Sequence, residues 1–434
     1  MSKDARTGRT IAAIAAATAV MFSAACSGTD AETPATGSTG GGDGEDVVLE
    51  FSQWWEPELP DGAFRALMDT FEADNPGIKV ELLSGPYAST KEQVVAGAAA
   101  GTMSDVVGLD GAWVSDFAKQ GSLADMSVLM ADDGYDESQL ASQIQIQGST
   151  YMIPVVNFVY PLFTNDALLA DAGISAPPST RSEFEAAAKA VTGLGDNTTG
   201  WILPLSLEAP NGIQNDVMSW VWASGGTMLA DGQPDVTNAD VTSAVTYLKG
   251  LWDENVIAAG ALTMKEQDKV EEFTNGRVGM MVDSLAHVNL IRETNPDLEF
   301  SISAIPAEDG YTGERGIPYA SWGIGVAENS EHKVEAWKLV SFLMSEATNA
   351  ELSTMANAFP GNTTAVPEFV ESDDLFKAAF DIYQSGYPAN EFTGLPVAEE
   401  LMRQFDEQLQ LMLTGDQTVD EMLQATQESW TSEF

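Results

Sequence analysis

The sequence predicts an α/β protein whose body is divided into two lobes. The chain has 434 residues, which is too long for one ordinary small domain and suggests two domains or two large lobes. Its 44% of hydrophobic residues is enough to bury a sizeable core. Strand-like and helix-like segments alternate near the start of the body, and this order predicts a parallel sheet with right-handed crossovers.

The alternating segments form the first part of the body. Strands are predicted at residues 47–51, 78–83 and 105–109, which are short and rich in apolar residues. Helices are predicted between them, at residues 60–74 and 89–100. The first helix is indicated by apolar side chains that recur every three or four residues, namely Phe64, Leu67, Met68 and Phe71. Ligands of such sheets bind beyond the carboxyl ends of the strands.

The carboxyl ends of these three strands carry aromatic side chains, and two of them also carry a carboxylate. The six residues are Trp54, Trp55, Glu56, Tyr87, Asp110 and Trp113. Aromatic rings can cover the apolar faces of a sugar ring, while carboxylates accept hydrogen bonds from its hydroxyl groups. We therefore predict a carbohydrate site at this edge of the sheet. Because neighbouring residues of a strand point in opposite directions, one of Trp54 and Trp55 is expected to pack in the core.

The chain is strongly acidic, with 66 Asp and Glu against 19 Lys and Arg and a formal net charge of −47. A surface of that charge repels phosphate backbones and anionic lipid, which argues against nucleic-acid binding and against docking to a membrane through basic residues. Two His and one Cys provide few ligands for a His/Cys metal site, and a single Cys excludes a disulfide within the chain. We predict no cofactor and no metal.

The N-terminus is typical of a secretory signal. Lys3, Arg6 and Arg9 form a basic region, and an apolar stretch rich in alanine follows at residues 11–22. This stretch is too short for a stable membrane span. The apolar stretch ends in small residues just before Cys26, which is the sole cysteine of the chain.

This signal and its cysteine resemble the lipobox of bacterial lipoproteins, in which the cysteine is lipidated and becomes the mature N-terminus. The resemblance predicts a signal peptide at residues 1–25 and a lipid anchor on Cys26. Residues 26–46 are rich in Gly, Ser, Thr, Pro and acidic residues, and are predicted to be a flexible tether. The protein is therefore expected at the extracellular face of the cytoplasmic membrane, held there by lipid.

Further motifs follow in a fixed order along the body. They are Tyr-x-x-Pro at residues 151–154, a capping box of Thr180 and Glu183 after a Pro-Pro pair, a Phe-x-x-Gly strand at 273–280, a Gly-rich strand at 322–326 and a second capping box of Thr418 and Glu421. Their order and spacing resemble extracellular solute-binding protein family 1. These are the substrate-capturing lipoproteins of ABC importers, and they include the maltodextrin-binding proteins.

The resemblance implies a two-lobed fold like that of periplasmic binding proteins, with a ligand cleft between lobes that hinge crossings join. Lobe one is expected to comprise residues 47–157 and, with the hinge return, 321–372. Lobe two is expected to comprise residues 158–320 and 373–434. Binding of substrate would close the hinge, and the closed form would be presented to the permease.

The resemblance also implies site residues in lobe two and at the crossings. They are Phe158, Glu208, Asn211, Gln214, Asp283, His287 and Trp322. Maltodextrin binders carry a tryptophan in the turn after the Phe-x-x-Gly strand, where this chain has Asp283 to His287 and no tryptophan. That departure disfavours a long maltodextrin and leaves Asp283 or His287 to reach the hydroxyl groups of a ligand.

These observations predict a monomeric, non-catalytic protein that captures an oligosaccharide or other sugar and delivers it to the permease subunits of an ABC importer. One competing hypothesis is a secreted carbohydrate-active enzyme, because 66 acidic residues offer many carboxylate pairs. Ser321, however, lies in Tyr-Ala-Ser-Trp-Gly and not in the Gly-x-Ser-x-Gly motif of a nucleophile elbow. A second hypothesis is a binder of a polyol, a phosphorylated polyol or a peptide. A third is a structural surface protein, which the absence of repeats disfavours.

Overall fold

The computed structural model describes residues 46–195, 197–208 and 210–434, and for Ala88 and Asn211 it describes the backbone alone. The predictions for the signal peptide, for Cys26 and for the tether before Asp46 fall outside the described residues. Within that part of the chain, no helix combines the length and the apolar character that crossing a membrane would require.

Fourteen strands are found in the described residues. In chain order they are β1 (Val47–Gln53), β2 (Ile78–Ser84), β3 (Val106–Leu109), β4 (Ile144–Ile146), β5 (Ser149–Val159), β6 (Leu162–Asn165), β7 (Thr199–Trp201), β8 (Leu229–Ala230), β9 (Gln233–Pro234), β10 (Val278–Val282), β11 (Phe300–Ser303), β12 (Gly316–Val326), β13 (Phe359–Pro360) and β14 (Tyr387–Ala389).

Sixteen α-helices accompany these strands in the same part of the chain. They are α1 (Ala63–Asp74), α2 (Tyr87–Ala100), α3 (Val114–Gln120), α4 (Met126–Asp133), α5 (Asp166–Asp171), α6 (Arg181–Thr192), α7 (Ser219–Trp222), α8 (Ala239–Asp253), α9 (Glu266–Thr274), α10 (Val288–Thr294), α11 (Lys333–Leu343), α12 (Glu346–Ala356), α13 (Phe369–Ser372), α14 (Asp374–Ser385), α15 (Ala398–Thr414) and α16 (Val419–Thr431). A π-helical turn, Gln214–Met218, precedes α7.

Eight strands form the larger sheet. Its main order is β13-β5-β12-β3-β1-β2, with β14 paired to β12 and β4 paired to β5. Strand β1 lies between β2 and β3 and is parallel to both, so the predicted βαβαβ unit is confirmed. Strand β12 is antiparallel to β3 and to β5, which makes the sheet mixed rather than fully parallel.

The helices begin and pack as their sequence patterns predict. Helix α1 buries the four apolar residues whose spacing indicated it, and their burial holds the helix against the larger sheet. The two predicted capping boxes are present at the starts of α6 and α16. In α6 the Thr180 hydroxyl oxygen accepts a hydrogen bond from the Glu183 N–H at 3.3 Å, and the Glu183 carboxylate accepts one from the Thr180 N–H at 3.2 Å.

Four strands form the second sheet, in the order β11-β6-β10-β7. Strand β10 is antiparallel to β6 and parallel to β7. Helices α6, α8, α15 and α16 contribute buried residues to the core beside this sheet, which includes an edge-to-face contact of Phe184 with Trp220 at 4.9 Å. The larger sheet has its own core, so each sheet with its helices forms one lobe of the predicted two-lobed α/β fold.

Two long strands carry the chain between the lobes. Strand β5 leaves the larger sheet at Val159 and continues through Tyr160 and Pro161 into β6 of the second sheet. Strand β12 pairs with β14 at its start and with β3 at its end. Because β5 and β12 also pair with each other, the two passages form a single antiparallel ribbon. The residue limits given above for the lobes remain a prediction.

The ribbon contains one irregularity, a register shift between Trp322 and Gly323. A Cβ atom at Gly323 would lie 2.0 Å from Met152 Cε and 2.6 Å from Met152 Cγ. Glycine at this position lets β12 pass close to the Met152 side chain of β5, and a larger residue would require that side chain to move.

Candidate functional site

A first aromatic group lies at the carboxyl ends of β1 and β3 and at the start of α2. The Trp54 ring lies 5.2 Å from the Tyr87 ring and 5.5 Å from the Trp113 ring. The Tyr87 hydroxyl donates to Asp110 Oδ2 at 3.1 Å, and the Ala112 N–H donates to Asp110 Oδ1 at 2.9 Å. Burial raises the pKa of Asp110, while these two hydrogen bonds act in the opposite direction. The four sequence-predicted residues of this group are thus brought together.

A second aromatic group joins lobe one to the crossing ribbon. The Trp55 and Trp322 rings are stacked with an angle of 7° between their planes and 5.5 Å between their centroids. Phe158 of β5 packs against Trp322 at 5.1 Å in an edge-to-face arrangement. Trp55 is fully buried, and Trp322 is 4% exposed. The structure therefore brings these three predicted residues together, with the faces of the indole rings largely covered by one another.

The 3-10 turn Glu56–Glu58, which directly follows Trp55, carries two carboxylates. Glu56 accepts a hydrogen bond from the Ser84 hydroxyl group at the end of β2. Burial raises the pKa of Glu58 to about 7, whereas the charge of His287 and a hydrogen bond with Trp322 lower it. Glu58 is an exposed residue. Its hydrogen bond with Trp322 places the carboxyl group beside the crossing ribbon.

Lobe two contains a buried charge network. The Lys269 ammonium group of α9 donates to both carboxylate oxygens of Asp216, at 3.2 and 3.1 Å, and to the Val282 carbonyl oxygen at 2.6 Å. It also lies 3.3 Å from Asp283 Oδ1. His287 Nδ1 lies 2.9 Å from Asp283 Oδ2, which brings these two predicted site residues together. Lys269, Asp216 and Asp283 are each at most 1% exposed.

The network fixes the charge states of His287 and Asp283. Burial alone would lower the pKa of His287, but the charge of Asp283 and its hydrogen bond outweigh burial and raise that pKa to about 9. Burial would raise the pKa of Asp283, but His287 and Lys269 lower it. Burial raises the pKa of Asp216 to about 7, although the charge of Lys269 opposes this. At neutral pH, His287 is therefore an imidazolium paired with a carboxylate.

Two further predicted residues of lobe two, Glu208 and Gln214, do not belong to this network. Glu208 has 76% of its side chain exposed and forms an ion pair with Lys265, the residue before α9. Gln214 is half-buried at the first position of the π-helical turn that carries Asp216. The side chain of Asn211 lies outside the described part of the chain. Their roles in binding stay a prediction.

The two lobes also contact each other beside Trp113 of the first aromatic group. The Lys91 ammonium group of α2 lies 2.7 Å from Glu399 Oε1 of α15 and 5.6 Å from the centre of the Trp113 ring. The Gly394 N–H donates to the Gly111 carbonyl oxygen at 2.9 Å. A Cβ atom at Gly111 would lie 2.7 Å from Thr393 Cγ2, so a larger residue at 111 would require Thr393 to move.

Three side chains of lobe two could together reach one metal ion. Glu266, Asp283 and His287 each offer one ligand atom, and these atoms lie within 4.8 Å of one another. The Lys269 ammonium group already supplies positive charge to Asp283, and a protonated imidazole has no lone pair for a metal. The residues therefore fit an ion-pair network better than a metal site, and we assign no metal.

Several polar residues of this region were not singled out from the sequence. They are Glu58, Lys91, Asp216, Glu266, Lys269 and Glu399. Glu58 follows Glu56 in the same strand-end loop, so its position alone could have indicated it. Lys269 lies one helical turn before the buried Phe273, and a lysine on the apolar face of a helix is a signal for a buried partner. The other four residues carry no comparable sequence signal.

The fold has the form of a two-lobed binding protein, with aromatic and charged residues gathered where the lobes meet. Residues 55–350, more than half of the chain, match the family of bacterial extracellular solute-binding proteins. The chain belongs to this family, as its motifs predict.

Individual relatives agree with this membership. A protein of Brucella abortus (strain 2308), named as a binding protein, is 28% identical over 325 residues, which are 73% of this chain and 77% of the relative. A lipoprotein from the oleD 5′ region of Streptomyces antibioticus is 24% identical over 343 residues, covering 74% of this chain and 72% of the relative.

A solved structure with a similar fold is the cyclic α-maltosyl-1,6-maltose binding protein from Arthrobacter globiformis. It superposes with a TM-score of 0.77 at 21% identity, over 89% of this chain and 98% of that protein. This similarity shows that the two proteins share a fold, and the predicted two-lobed architecture is confirmed.

Proposed function

We propose that this protein is the sugar-capturing component of an ABC importer. One observation carries the proposal: aromatic rings and a carboxylate gather at the strand ends of lobe one, at a point where Lys91 of lobe one contacts Glu399 of lobe two. Rings suit the apolar faces of a sugar, and charged groups suit its hydroxyl groups. Family membership and the oligosaccharide named for the Arthrobacter protein support the same ligand class.

In this proposal the ligand binds between the lobes, and contacts from both lobes favour the closed form. The predicted contact residues are divided between lobe one, the ribbon and lobe two. The cleft performs no chemistry, and the closed complex passes its ligand to the permease subunits. The lobe boundaries predicted from the sequence are part of this proposal: residues 47–157 and 321–372 for lobe one, and residues 158–320 and 373–434 for lobe two.

Anchoring to the membrane is a second part of the proposal. Cys26 would be lipidated after removal of residues 1–25, and residues 26–46 would tether a monomeric body to the extracellular face of the cytoplasmic membrane. The lipoprotein named among the relatives supports this assignment. We expect Cys26→Ala to move the exported protein from the membrane fraction to the medium. Membrane retention equal to that of the wild type would contradict the anchor.

Ligand binding is tested with a panel in a thermal-shift assay followed by calorimetry. The panel contains neutral oligosaccharides such as maltose and cyclic maltosyl-maltose, polyols such as ribitol, and short peptides. A ligand at about 100 times its dissociation constant adds roughly 2.7 kcal/mol to the free energy of unfolding, which is readily measured. We expect stoichiometric sugar binding without product. Release of a cleaved product would indicate an enzyme, and a response to peptides alone would contradict a sugar site.

A further inference from the structure

A loop of lobe two, between β14 and α15, reaches across to lobe one. This loop, residues 390–397, is called the strap. Phe392 anchors it in the core of lobe two, where its ring is 2% exposed and lies 5.7 Å from the Trp430 ring in an edge-to-face contact. Asn390 Nδ2 donates to the Tyr319 carbonyl oxygen of the crossing ribbon at 3.0 Å. The base of the strap is therefore held by lobe two and the ribbon.

The tip of the strap lies on the turn that follows β3 in lobe one. The Gly394 N–H donates to the Gly111 carbonyl oxygen at 2.9 Å, and Thr393 packs against Gly111 so closely that a Cβ atom there would lie 2.7 Å from Thr393 Cγ2. A Cβ atom at Gly394 would lie 2.9 Å from Ile144 Cγ2 at the start of β4. The strap thus contacts the same turn that carries the predicted site residues after β3.

The start of α15, directly after the strap, adds an ion pair to this contact. Glu399 Oε1 lies 2.7 Å from Lys91 Nζ, and the same ammonium group lies over the Trp113 ring, 5.6 Å from its centre. A cation in this position is attracted by the indole face. Lys91 of lobe one therefore occupies a face of Trp113 while it is paired with Glu399 of lobe two.

The indole rings of the first aromatic group have no free face in this arrangement. Trp54 and Trp113 are each only 4% exposed. A ring that stacks on a sugar must present an open face, because the contact stabilises by removing apolar surface of both partners from water. A ligand can therefore reach these rings only after the contacts that cover them have opened.

The strap ends in a strained residue, Val397, which directly precedes α15. Its backbone has φ 48° and ψ 32°, the left-handed conformation. A β-branched side chain disfavours this conformation, which persists only where surrounding contacts impose it. Release of the tip would let Val397 adopt an ordinary conformation, so the strain opposes the docking contacts. A docked and a released form of the strap are therefore expected to interconvert.

We propose that the strap is an autoinhibitory element: docked on Gly111, with Lys91 held over Trp113, it covers the strand-end rings of lobe one, and ligand binds only after its release. This proposal rests on the proposed function, since it assumes that the ligand contacts these rings. The apparent affinity is then proportional to the fraction of molecules in which the strap is released. Variants that release the strap should bind ligand more tightly, a gain that misfolding does not produce.

The first test requires no ligand. Gly394→Ala changes the strap alone, because it places a side chain on a residue with φ 80° and against Ile144. Gly415→Ala is the matched control, since Gly415 has a similar φ of 89° at the far end of α15 and nothing within 4 Å of its Cβ position. Hydrogen exchange of the strap and hydroxyl-radical oxidation of Trp113 are both measured by mass spectrometry.

We expect both rates to rise at least about threefold in Gly394→Ala and to stay at the wild-type value in Gly415→Ala. Such a result would show that the tip of the strap protects itself and Trp113 in solution. Wild-type rates in Gly394→Ala, or an equal rise in the control, would overturn the proposal.

The second test measures affinity by calorimetry, with maltose and ribitol as probes. Lys91→Met keeps an apolar side chain of similar length but removes both the ion pair with Glu399 and the cation over Trp113. Lys91→Met and Gly394→Ala should each bind a responding probe about three- to tenfold more tightly than the wild type. An affinity that rises in neither variant would overturn the proposal.

A reversible lock tests the docked form directly. In the exported protein carrying Cys26→Ala, we introduce Gly111→Cys together with Thr393→Cys. A Cβ atom at position 111 lies 3.2 Å from Thr393 Cβ, close to the spacing that a disulfide needs. Oxidation should weaken probe binding at least about tenfold, and reduction should restore it. Binding that persists or tightens on oxidation would show that ligand binds with the strap docked, and would overturn the proposal.

The autoinhibition and the proposed function fail in different ways. If a probe binds the wild type, the strap variants and the oxidised lock equally, sugar capture stands and the autoinhibition is wrong. If no form of the protein binds either probe, the function proposed above fails for these sugars. Hydrogen exchange and Trp113 oxidation then still decide whether the strap covers the strand-end rings.

Discussion

The tryptophans at the strand ends of lobe one serve as packing residues as well as candidates for ligand contact. Trp54 and Trp113 are 4% exposed, and Trp55 is fully buried beneath Trp322. A side chain so placed removes a large apolar area from water. Replacement by alanine therefore changes stability whatever it does to ligand binding, and the two effects must be measured separately.

Trp55→Ala is expected to lower the free energy of unfolding by about 3–5 kcal/mol, because it removes a fully buried indole and leaves a cavity between Phe51, Phe64 and Trp322. Urea unfolding followed by circular dichroism measures the loss. Trp55→Phe, which keeps an aromatic ring, is the matched control and should cost less. A loss below about 1 kcal/mol for the alanine variant would contradict the buried stack.

Sequence reasoning at the residue scale found the strand-end rings but not their mutual contacts. That the rings of Trp54, Tyr87 and Trp113 share one edge follows from parallel strand order, which local patterns reveal. The stack of Trp55 on Trp322 depends on how β12 returns beside β3, and no local pattern encodes that return. Glu58 differs from this stack, because its place after Glu56 in the same strand-end loop is a local signal that could have indicated it.

At the scale of single elements, α15 carries a polar side chain on its apolar face. Asp406 is 1% exposed within a helix that buries Leu401, Phe405 and Leu409. Its neighbour Gln410 donates to Asp406 at 3.5 Å but also donates to the Leu205 carbonyl oxygen at 2.6 Å. Burial raises the pKa of Asp406 to about 7, and the Gln410 hydrogen bond opposes this rise.

Asp406→Asn should stabilise the protein at alkaline pH. Because the pKa of Asp406 rises from an ordinary 3.8 to about 7 on folding, the folded chain binds more protons between those values, and wild-type stability falls as pH rises through that window. The variant lacks this fall. We expect it to gain about 2–4 kcal/mol at pH 8, and much less at pH 4, in urea unfolding. An equal change at both pH values would contradict a buried acid.

The elements themselves were predicted well where the signal is local. The apolar spacing in α1 and the capping boxes of α6 and α16 act within a few residues, so the sequence alone locates these helices. The mixed character of the larger sheet was not predicted, because β12 joins it from far along the chain. The buried charge network combines the π-helical turn, α9 and the residues after β10, and only the folded chain brings them together.

At the scale of the whole molecule, the lobes are connected by the ribbon and by polar contacts beside it. Lys91 of lobe one pairs with Glu399 of lobe two, and the Gly394 N–H of lobe two donates to the Gly111 carbonyl oxygen of lobe one. An ion pair of this kind favours one relative placement of the lobes and is weakened by salt.

Lys91→Glu should shift the ligand-free protein toward more open forms, because it places two carboxylates at the contact with Glu399. Exposed ion pairs contribute about 0.2–1 kcal/mol, so the ratio of closed to open forms should fall about two- to fivefold. Small-angle X-ray scattering should show a larger radius of gyration.

The double variant Lys91→Glu with Glu399→Lys restores opposite charges. Its radius of gyration should therefore return part of the way to the wild-type value. Lys189→Glu is the matched control, because the Lys189 pairs with Glu185 and Glu254 lie within lobe two. A change of equal size in that control, or the absence of any recovery in the double variant, would contradict a role of this pair in lobe placement.

The close passage of β12 over Met152 has a consequence for how this protein can diverge in evolution. Since a side chain at Gly323 would overlap three side-chain atoms of Met152, a larger residue at 323 requires the methionine side chain to move or to be replaced by a shorter one. We therefore expect positions 152 and 323 to change together as a coupled pair during divergence.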